Sequence, residues 1–148
     1  MKNQKGFSLV ELLVVVIIIA IIAAIAIPNL LASRRAANEA SAVSTLRTIH
    51  SAQATYNAST SPNIYSDGND LTGLVDTTLN STPFTKSGYT FTMVAQTNTG
   101  ATYCMTAAPT AGNGTRSFAI GIDGSLKVMP DGTAACGPLG IVSVGTPL

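Results

Sequence analysis

The carboxylate of Glu11 stands at the start of an uninterrupted apolar run from Leu12 to Ile27. A charged carboxylate inside a membrane-length helix costs on the order of 2.5 to 3.5 kcal/mol near the bilayer centre, and less toward the interface. Some interaction must therefore compensate for the cost of placing Glu11 there. This makes Glu11 the most informative chemical group in the chain.

The only histidine, His50, is a weak candidate for catalysis. It is predicted on a helix, at the border of an apolar stripe beside Arg47, and no nucleophile or orienting acid can be assigned to it. The many serines and threonines lack a nucleophile-elbow motif. We therefore expect no catalytic residue, no cofactor and no enzymatic activity.

Two cysteines, Cys104 and Cys136, lie in the second half of the chain, far from any second Cys or His pair. This arrangement argues against a zinc site. If this half lies outside the cytoplasm, a disulfide would close a loop of roughly thirty residues and add on the order of 3 to 4 kcal/mol of stability. Two free, partly buried thiols are the alternative.

Composition limits the chain to one small globular domain. It has 148 residues, of which 46% are hydrophobic and 10% charged, and most of the apolar excess precedes residue 31. About a hundred residues remain for a single domain with a thin core. The formal charge of +1 gives no electrostatic reason to expect nucleic acid, whose binding needs a basic stripe or patch, so no nucleic acid is indicated.

The first 31 residues read as a leader followed by an apolar helix. Lys2 and Lys5 precede the apolar run as in a secretory signal, but a Glu stands at its head and no small-residue cleavage site ends it. As a helix, residues 7–31 would measure about 37 Å, which is enough to cross a bilayer. The predicted organisation is a leader over 1–6, a membrane-spanning half-helix over 7–31 and a globular domain over 32–148, with the N-terminus in the cytoplasm.

The helix is expected to continue well beyond the apolar run. Apolar residues recur every three or four positions as far as Tyr56, which predicts an amphipathic extension. A single helix of about fifty residues, roughly 75 Å long, is expected. Pro28 removes one backbone hydrogen bond, so a kink or local loosening is predicted there. Just beyond the run, Arg34 and Arg35 are expected to contact lipid headgroups or to pair with Glu39.

The second half of the chain predicts a small sheet. Residues after Tyr56 read as loop through about Ser87, with a short strand or helix near 71–79. Alternating patterns then predict strands, with a turn at Asp123 and Gly124; the predicted strands are 89–95, 102–107, 117–122 and 126–129. The expected class is α+β, a long N-terminal helix packed on a three- to four-stranded antiparallel sheet.

The residues from Lys5 to Leu13, with the apolar run that ends at Pro28, closely resemble the class III signal of type IV prepilins and pseudopilins. The resemblance is strong over about the first fifty residues and weaker over the sheet. Two cysteines, the second near the C-terminus, are similar to the disulfide-bounded region of many type IV pilins. The resemblance implies that a prepilin peptidase and methyltransferase cleaves after Gly6 and methylates the new terminus at Phe7.

The same resemblance implies what Glu11 does. In this family the matching carboxylate pairs with the terminal amine of a neighbouring subunit inside a filament core, where the helix around Pro28 could partly unwind. The implied protein is a structural pilus subunit, stored in the inner membrane and assembled into an extracellular homopolymer with minor pilins and assembly machinery. Adhesion, twitching motility or DNA uptake would then depend on motors elsewhere.

Two alternatives remain open at this point. A pseudopilin of a type II secretion or DNA-uptake system is similar at the N-terminus but often carries an acidic calcium loop near the C-terminus. The acids after residue 80 are only Asp123 and Asp131, too few for a convincing site, so no metal is expected and either Asp is better read as a turn former. A membrane-anchored binding module that does not polymerise is the alternative from another class.

Overall fold

The computed structural model describes residues 6–60, 64–79, 81–95, 102–129, 136 and 146–148. Its first element is one α-helix, α1, Leu9–Ser59, of 51 residues. Pro28 lies inside it. The expectation of a single helix of about fifty residues is confirmed. Residues 1–5 of the predicted leader lie outside the described residues.

A six-stranded antiparallel sheet follows, in which every strand pairs with its neighbours in sequence. A 3₁₀ turn, Thr77–Leu79, precedes it. The strands are β1 Phe84–Lys86, β2 Tyr89–Ala95, β3 Tyr103–Pro109, β4 Ser117–Gly121, β5 Leu126–Met129 and β6 Thr146–Pro147. β1 and β2 join through Ser87 and Gly88, both at positive φ. A two-residue hairpin turn needs such φ values to match the twist of its strands.

The main core lies between the sheet and the second part of α1. The helix contributes an apolar stripe at spacings of three and four, and alternate residues of each strand face it because side chains alternate across a strand. Fully buried members from the two layers include Leu46, Ile49, Phe91, Tyr103, Met105, Phe118 and Ile120. A smaller cluster of Cys104, Ala119, Met129 and Cys136 packs separately. In β3 and β4 its members alternate with core residues, so it lies on the opposite face of the sheet.

Contacts within the chain divide it into two compact units, Met1–Arg34 and Arg35–Leu148. The second is called the globular unit below. The predicted boundaries at 6 and 31 rest on processing and membrane insertion, which these contacts do not test.

The α+β class is confirmed, while the sheet is larger than the predicted three or four strands. The four predicted strands correspond to β2 to β5. The stretch before residue 87 was expected to be loop, but it contains β1. That strand has only three residues, and its stability comes from pairing with β2 and from the Phe84–Phe91 rings, which stack at 4.7 Å. Such short edge strands are defined by their partner and carry no periodicity of their own.

Candidate functional site

The apolar segment, residues 7–31, leaves its large side chains exposed. Every Leu, Val and Ile from Leu9 to Leu31, together with Phe7, is between 48% and 79% exposed. The helix contains an 18-residue window of mean hydropathy 3.3, none of it buried. By length and composition this part of α1 can cross a membrane. So much apolar surface must meet lipid or another apolar surface.

The start of this segment is a helix cap built around Glu11. Residues 6–8 are not helical, and α1 begins at Leu9. The Ser8 amide donates to Glu11 Oε2 at 2.9 Å, and the Leu12 amide donates to the Ser8 carbonyl at 3.3 Å. Ser8 is thus the N-cap and Glu11 the third helical residue that reaches back to it, one half of a capping box. The S-x-x-E spacing was the signal for this cap, which the sequence analysis missed.

Glu11 is exposed and has no cationic side chain beside it within the described residues. Its contact is the local one to Ser8. A backbone amide satisfies one acceptor site of a carboxylate that has about four. The carboxylate in a single chain therefore keeps most of its capacity for a further partner.

Around Pro28 the helix continues, supported by polar side chains. Asn29 Nδ2 donates to the Ile25 carbonyl at 3.3 Å, and Ser33 Oγ donates to the Asn29 carbonyl at 3.0 Å. Pro28 has no amide proton to donate to the carbonyl of Ala24, and the two side-chain bonds go to other carbonyls of the same region. A kink here stays a prediction.

In the globular unit, Cys104 of β3 forms a disulfide with Cys136, with a Cα–Cα distance of 5.8 Å and a sequence separation of 32. The structure thereby excludes the alternative of two free thiols. The bond packs against Ala119 and Met129 on the sheet face opposite the helix. It ties Cys136 to β3, a central strand of the sheet.

A charged cluster joins α1 to the β3–β4 connection. Glu39 Oε2 accepts hydrogen bonds from Arg116 Nε at 2.8 Å and Nη2 at 2.6 Å, while Oε1 accepts from the amide and hydroxyl of Thr115, both at 3.1 Å. The Glu39 side chain is 8% exposed and that of Arg116 49%. A buried carboxylate is tolerated here because both its oxygens are satisfied.

Two groups in this cluster have shifted pKa values. Burial by itself would raise the pKa of Glu39, but the hydrogen bonds from Thr115 and Arg116 and the charge of Arg116 hold it below its ordinary value. Burial and the nearby Glu39 carboxylate raise the pKa of Tyr89 to about 12. The Tyr89 hydroxyl donates to the Arg116 carbonyl at 2.8 Å. The cluster is therefore charged at Glu39 and neutral at Tyr89 near neutral pH.

This arrangement corrects the expectation that Arg34 or Arg35 pairs with Glu39. The partner is Arg116, 77 positions away, and Arg35 Nε instead donates to the Gly112 carbonyl at 3.1 Å. Arg116 reaches Oε2 of Glu39 with two donors of its planar guanidinium. An isolated i, i+4 ion pair is worth only about 0.2 to 0.5 kcal/mol, so a long-range partner that makes two bonds can replace it.

His50 and Asp123, the residues considered above for catalysis and metal binding, have packing and turn roles in the structure. His50 is half-buried, and its Nδ1 contacts the hydroxyl of Tyr103, whose pKa is raised by burial. Asp123 accepts from the amide and the hydroxyl of Ser125 at 3.2 and 2.5 Å, as a turn former does. Asp131 lies outside the described residues. Within the described part of the chain, no group of three His, Cys, Asp or Glu is placed to hold a metal ion.

Comparison with known proteins bears on both units. Residues 1–27 match the family model described as a prokaryotic N-terminal methylation motif. Over 116 residues the chain is 38% identical to the "Type IV wide pilus major component PilA4" of Thermus thermophilus, an alignment that covers 76% of this chain and 79% of that protein. The similarity therefore extends from the apolar segment into the globular unit.

Proposed function

Because the chain belongs to the type IV pilin family, we propose that it is a structural subunit that polymerises into an extracellular pilus. Residues 1–6 are a leader that a prepilin peptidase removes after Gly6, and the new amino terminus at Phe7 is methylated. Residues 7–31 then form the filament core, and residues 32–148 form the globular domain. The chain itself carries out no catalysis.

The observation that carries this proposal is the exposed apolar segment. Large apolar side chains lie on all sides of the helix from Leu9 to Leu31, whereas a helix that packs on its own domain has one apolar stripe. Before assembly, the lipid of the inner membrane surrounds the segment. After assembly, the same segments of other copies replace the lipid. One surface that binds a different surface of the next copy, without closing into a ring, generates an open helical filament.

Cleavage after Gly6 would create the positively charged partner that Glu11 lacks in the single chain. The new amine lies four residues before the carboxylate, and methylation of an amine keeps its positive charge. Glu11 bonds to Ser8 with acceptor capacity left over, so it can accept the amine of a neighbouring subunit. In an apolar core, such a pair is far less costly than either charge alone.

The proposal also assigns partners and a location. The precursor lies in the inner membrane with its N-terminus in the cytoplasm, where the peptidase and methyltransferase act. The globular unit lies outside, and its Cys104–Cys136 disulfide fits an oxidising compartment. Minor pilins and the assembly machinery are further partners.

The test is Glu11→Ala expressed as the full-length precursor, with Lys86→Gln as a control that removes an exposed charge from the globular unit. Sheared surface filaments are quantified, and their subunits are weighed by mass spectrometry. We expect Glu11→Ala to stay in the membrane but to yield about a hundredfold fewer filaments, since an unpaired buried charge costs about 3 to 5 kcal/mol. Lys86→Gln should assemble normally.

Three results would contradict the proposal. Normal filaments from Glu11→Ala would refute the pairing of Glu11 with the amine. A native protein that retains Met1 and stays dispersed singly in the membrane would identify a non-polymerising membrane anchor. Native subunits confined to short periplasmic fibres would support a secretion pseudopilin.

A further inference from the structure

A groove of about 870 Å³ runs along α1 in the globular unit. The helix wall carries mostly small side chains, including Ala40, Ser44 and Thr48, and Phe118 of β4 also lines the groove. Small residues on this wall let another backbone approach closely.

The exposed apolar residues of the globular unit meet at this groove. Among its described residues, Leu74 and Leu148 are the large apolar side chains with high exposure, at 41% and 66%. Both line the groove. Single exposed leucines are ordinary on protein surfaces, but two that flank one concave site mark a surface that is covered in an assembly.

The side chains that line the groove carry a net positive charge. Arg47 is exposed on its helix wall and forms no ion pair with a described residue. The other charged lining residues are Arg116 and Glu39, which neutralise each other. A ligand for this groove should therefore bring carboxylates.

The same chain offers such carboxylates on the loop before the sheet. Asp67, Asp70 and Asp76 are exposed, and no Lys or Arg occurs between residues 48 and 85. Within the described residues, none of the three forms an ion pair. The segment from Asp67 to Asp76 is called the acidic segment below.

The base of the acidic segment is fixed to the helix, which favours binding. Both amide atoms of the buried Gln53 bond to the backbone of Ser66, at 2.9 and 3.0 Å. Ser66 Oγ in turn accepts from the amides of Gly68 and Asp70 at 3.0 and 3.2 Å. Because this part of the loop is already ordered, less conformational entropy is lost when a partner binds.

We propose that the groove of one copy binds the acidic segment of a second copy, with carboxylates placed against Arg47. This inference rests on the proposed function, since it names a contact between globular domains in the filament. Leu74 lies in the acidic segment and also flanks the groove of the same copy. The surface through which a copy binds one neighbour therefore lies next to the groove in which it receives another. Such a contact is heterologous and repeats along an open helix.

The experiment reverses charges in the full-length protein and measures the yield and shear resistance of filaments. Arg47→Glu is compared with Lys86→Glu, the same charge change at another exposed position. We expect about a tenfold lower yield from Arg47→Glu and no change from Lys86→Glu. Combining Arg47→Glu with Asp67→Lys, Asp70→Lys or Asp76→Lys should restore assembly for at least one of the three.

A second variant tests the groove without changing its charge. Thr48→Trp places a large ring on the exposed helix wall, and it should reduce the yield as strongly as Arg47→Glu. Unchanged melting of each full-length variant in detergent micelles shows that the globular unit is still folded.

The outcomes separate this inference from the proposed function. Normal filaments from Arg47→Glu and Thr48→Trp, together with their loss in Glu11→Ala, would overturn the groove contact and leave the pilus assignment intact. A defect in Arg47→Glu that no charge swap restores would show that another occupant fills the groove, and would also overturn the inference.

Discussion

The two parts of α1 treat similar residues in opposite ways. Leu13, in the apolar segment, is 52% exposed, while Leu46, about nine turns further along, is fully buried. The second part has polar residues between its apolar ones, so a sheet on one side suffices to cover its stripe. The first part is apolar all round, so it needs lipid or another apolar surface to cover it. One helix thus packs on its own sheet in one part and relies on its surroundings in the other.

The difference between the two parts of α1 can be tested by making the same substitution in each. Leu46→Ala should lower the free energy of unfolding of the globular unit by about 2 to 5 kcal/mol, because it leaves a cavity in a packed core. Leu13→Ala should change that free energy by less than about 0.5 kcal/mol. Near-ultraviolet circular dichroism of the full-length protein in detergent, followed through denaturant unfolding, measures both. Equal losses would show that the two parts share one core.

Removing the disulfide should affect only the globular unit. Cys104→Ser with Cys136→Ser is expected to lower its free energy of unfolding by about 3 to 4 kcal/mol, because the unfolded chain gains the freedom of a loop of 32 residues. The same melting measurement reports the loss, and reductant should have no further effect on the double variant. Fractionation should still find the protein in the membrane. Loss of membrane insertion would contradict the separation of the two parts.

Within the globular unit, Glu39→Gln tests how much polar contacts add to stability, whereas Leu46→Ala tests apolar packing. A neutral amide weakens the bonds to Arg116 and Thr115, so a loss of about 1 to 3 kcal/mol is expected. Asp70→Asn, an exposed control, should change stability by less than about 0.5 kcal/mol. Unfolding in denaturant at neutral pH measures both variants. Equal effects would show that the Glu39 cluster adds no specific stability.

Acidic pH should reproduce the loss more gradually. The pKa of Glu39 is lowered in the folded chain, so its contribution is fully present above the unfolded value, about 4.3, and is lost as pH falls through the lower folded value. The stability of the native protein should therefore fall more steeply below about pH 4 than that of Glu39→Gln. Parallel curves for the two proteins would contradict the assignment.

Much of the fold could be predicted because its signals are local. The length of α1 followed from a three- to four-residue spacing without glycine, and β2 to β5 from alternation along each strand. The strands β1 and β6 have three and two residues, too few for alternation to show. They form because a neighbouring strand offers backbone groups to bond with, and this depends on the turns that bring them together.

The candidate site likewise has features that local sequence signals predict and features that depend on the fold. Glu11 and the apolar segment that contains it could be identified from residue types alone, and the Ser8 cap could have been found from the S-x-x-E spacing. The Glu39 cluster could not be predicted, because several cations were available and only the packing of the β3–β4 connection beside the helix selects Arg116. The groove beside Arg47 likewise exists only once the helix, the acidic segment and the sheet are packed.

Residue types alone establish that the chain needs lipid or a partner outside itself, because a helix that is apolar all round cannot be covered by one small domain. The pairs Glu39 with Arg116 and Gln53 with Ser66, and the face of the sheet that carries Cys104, follow only from the folded chain. Periodicity acts over a few residues, whereas these pairs depend on how turns and strand register place distant residues in space.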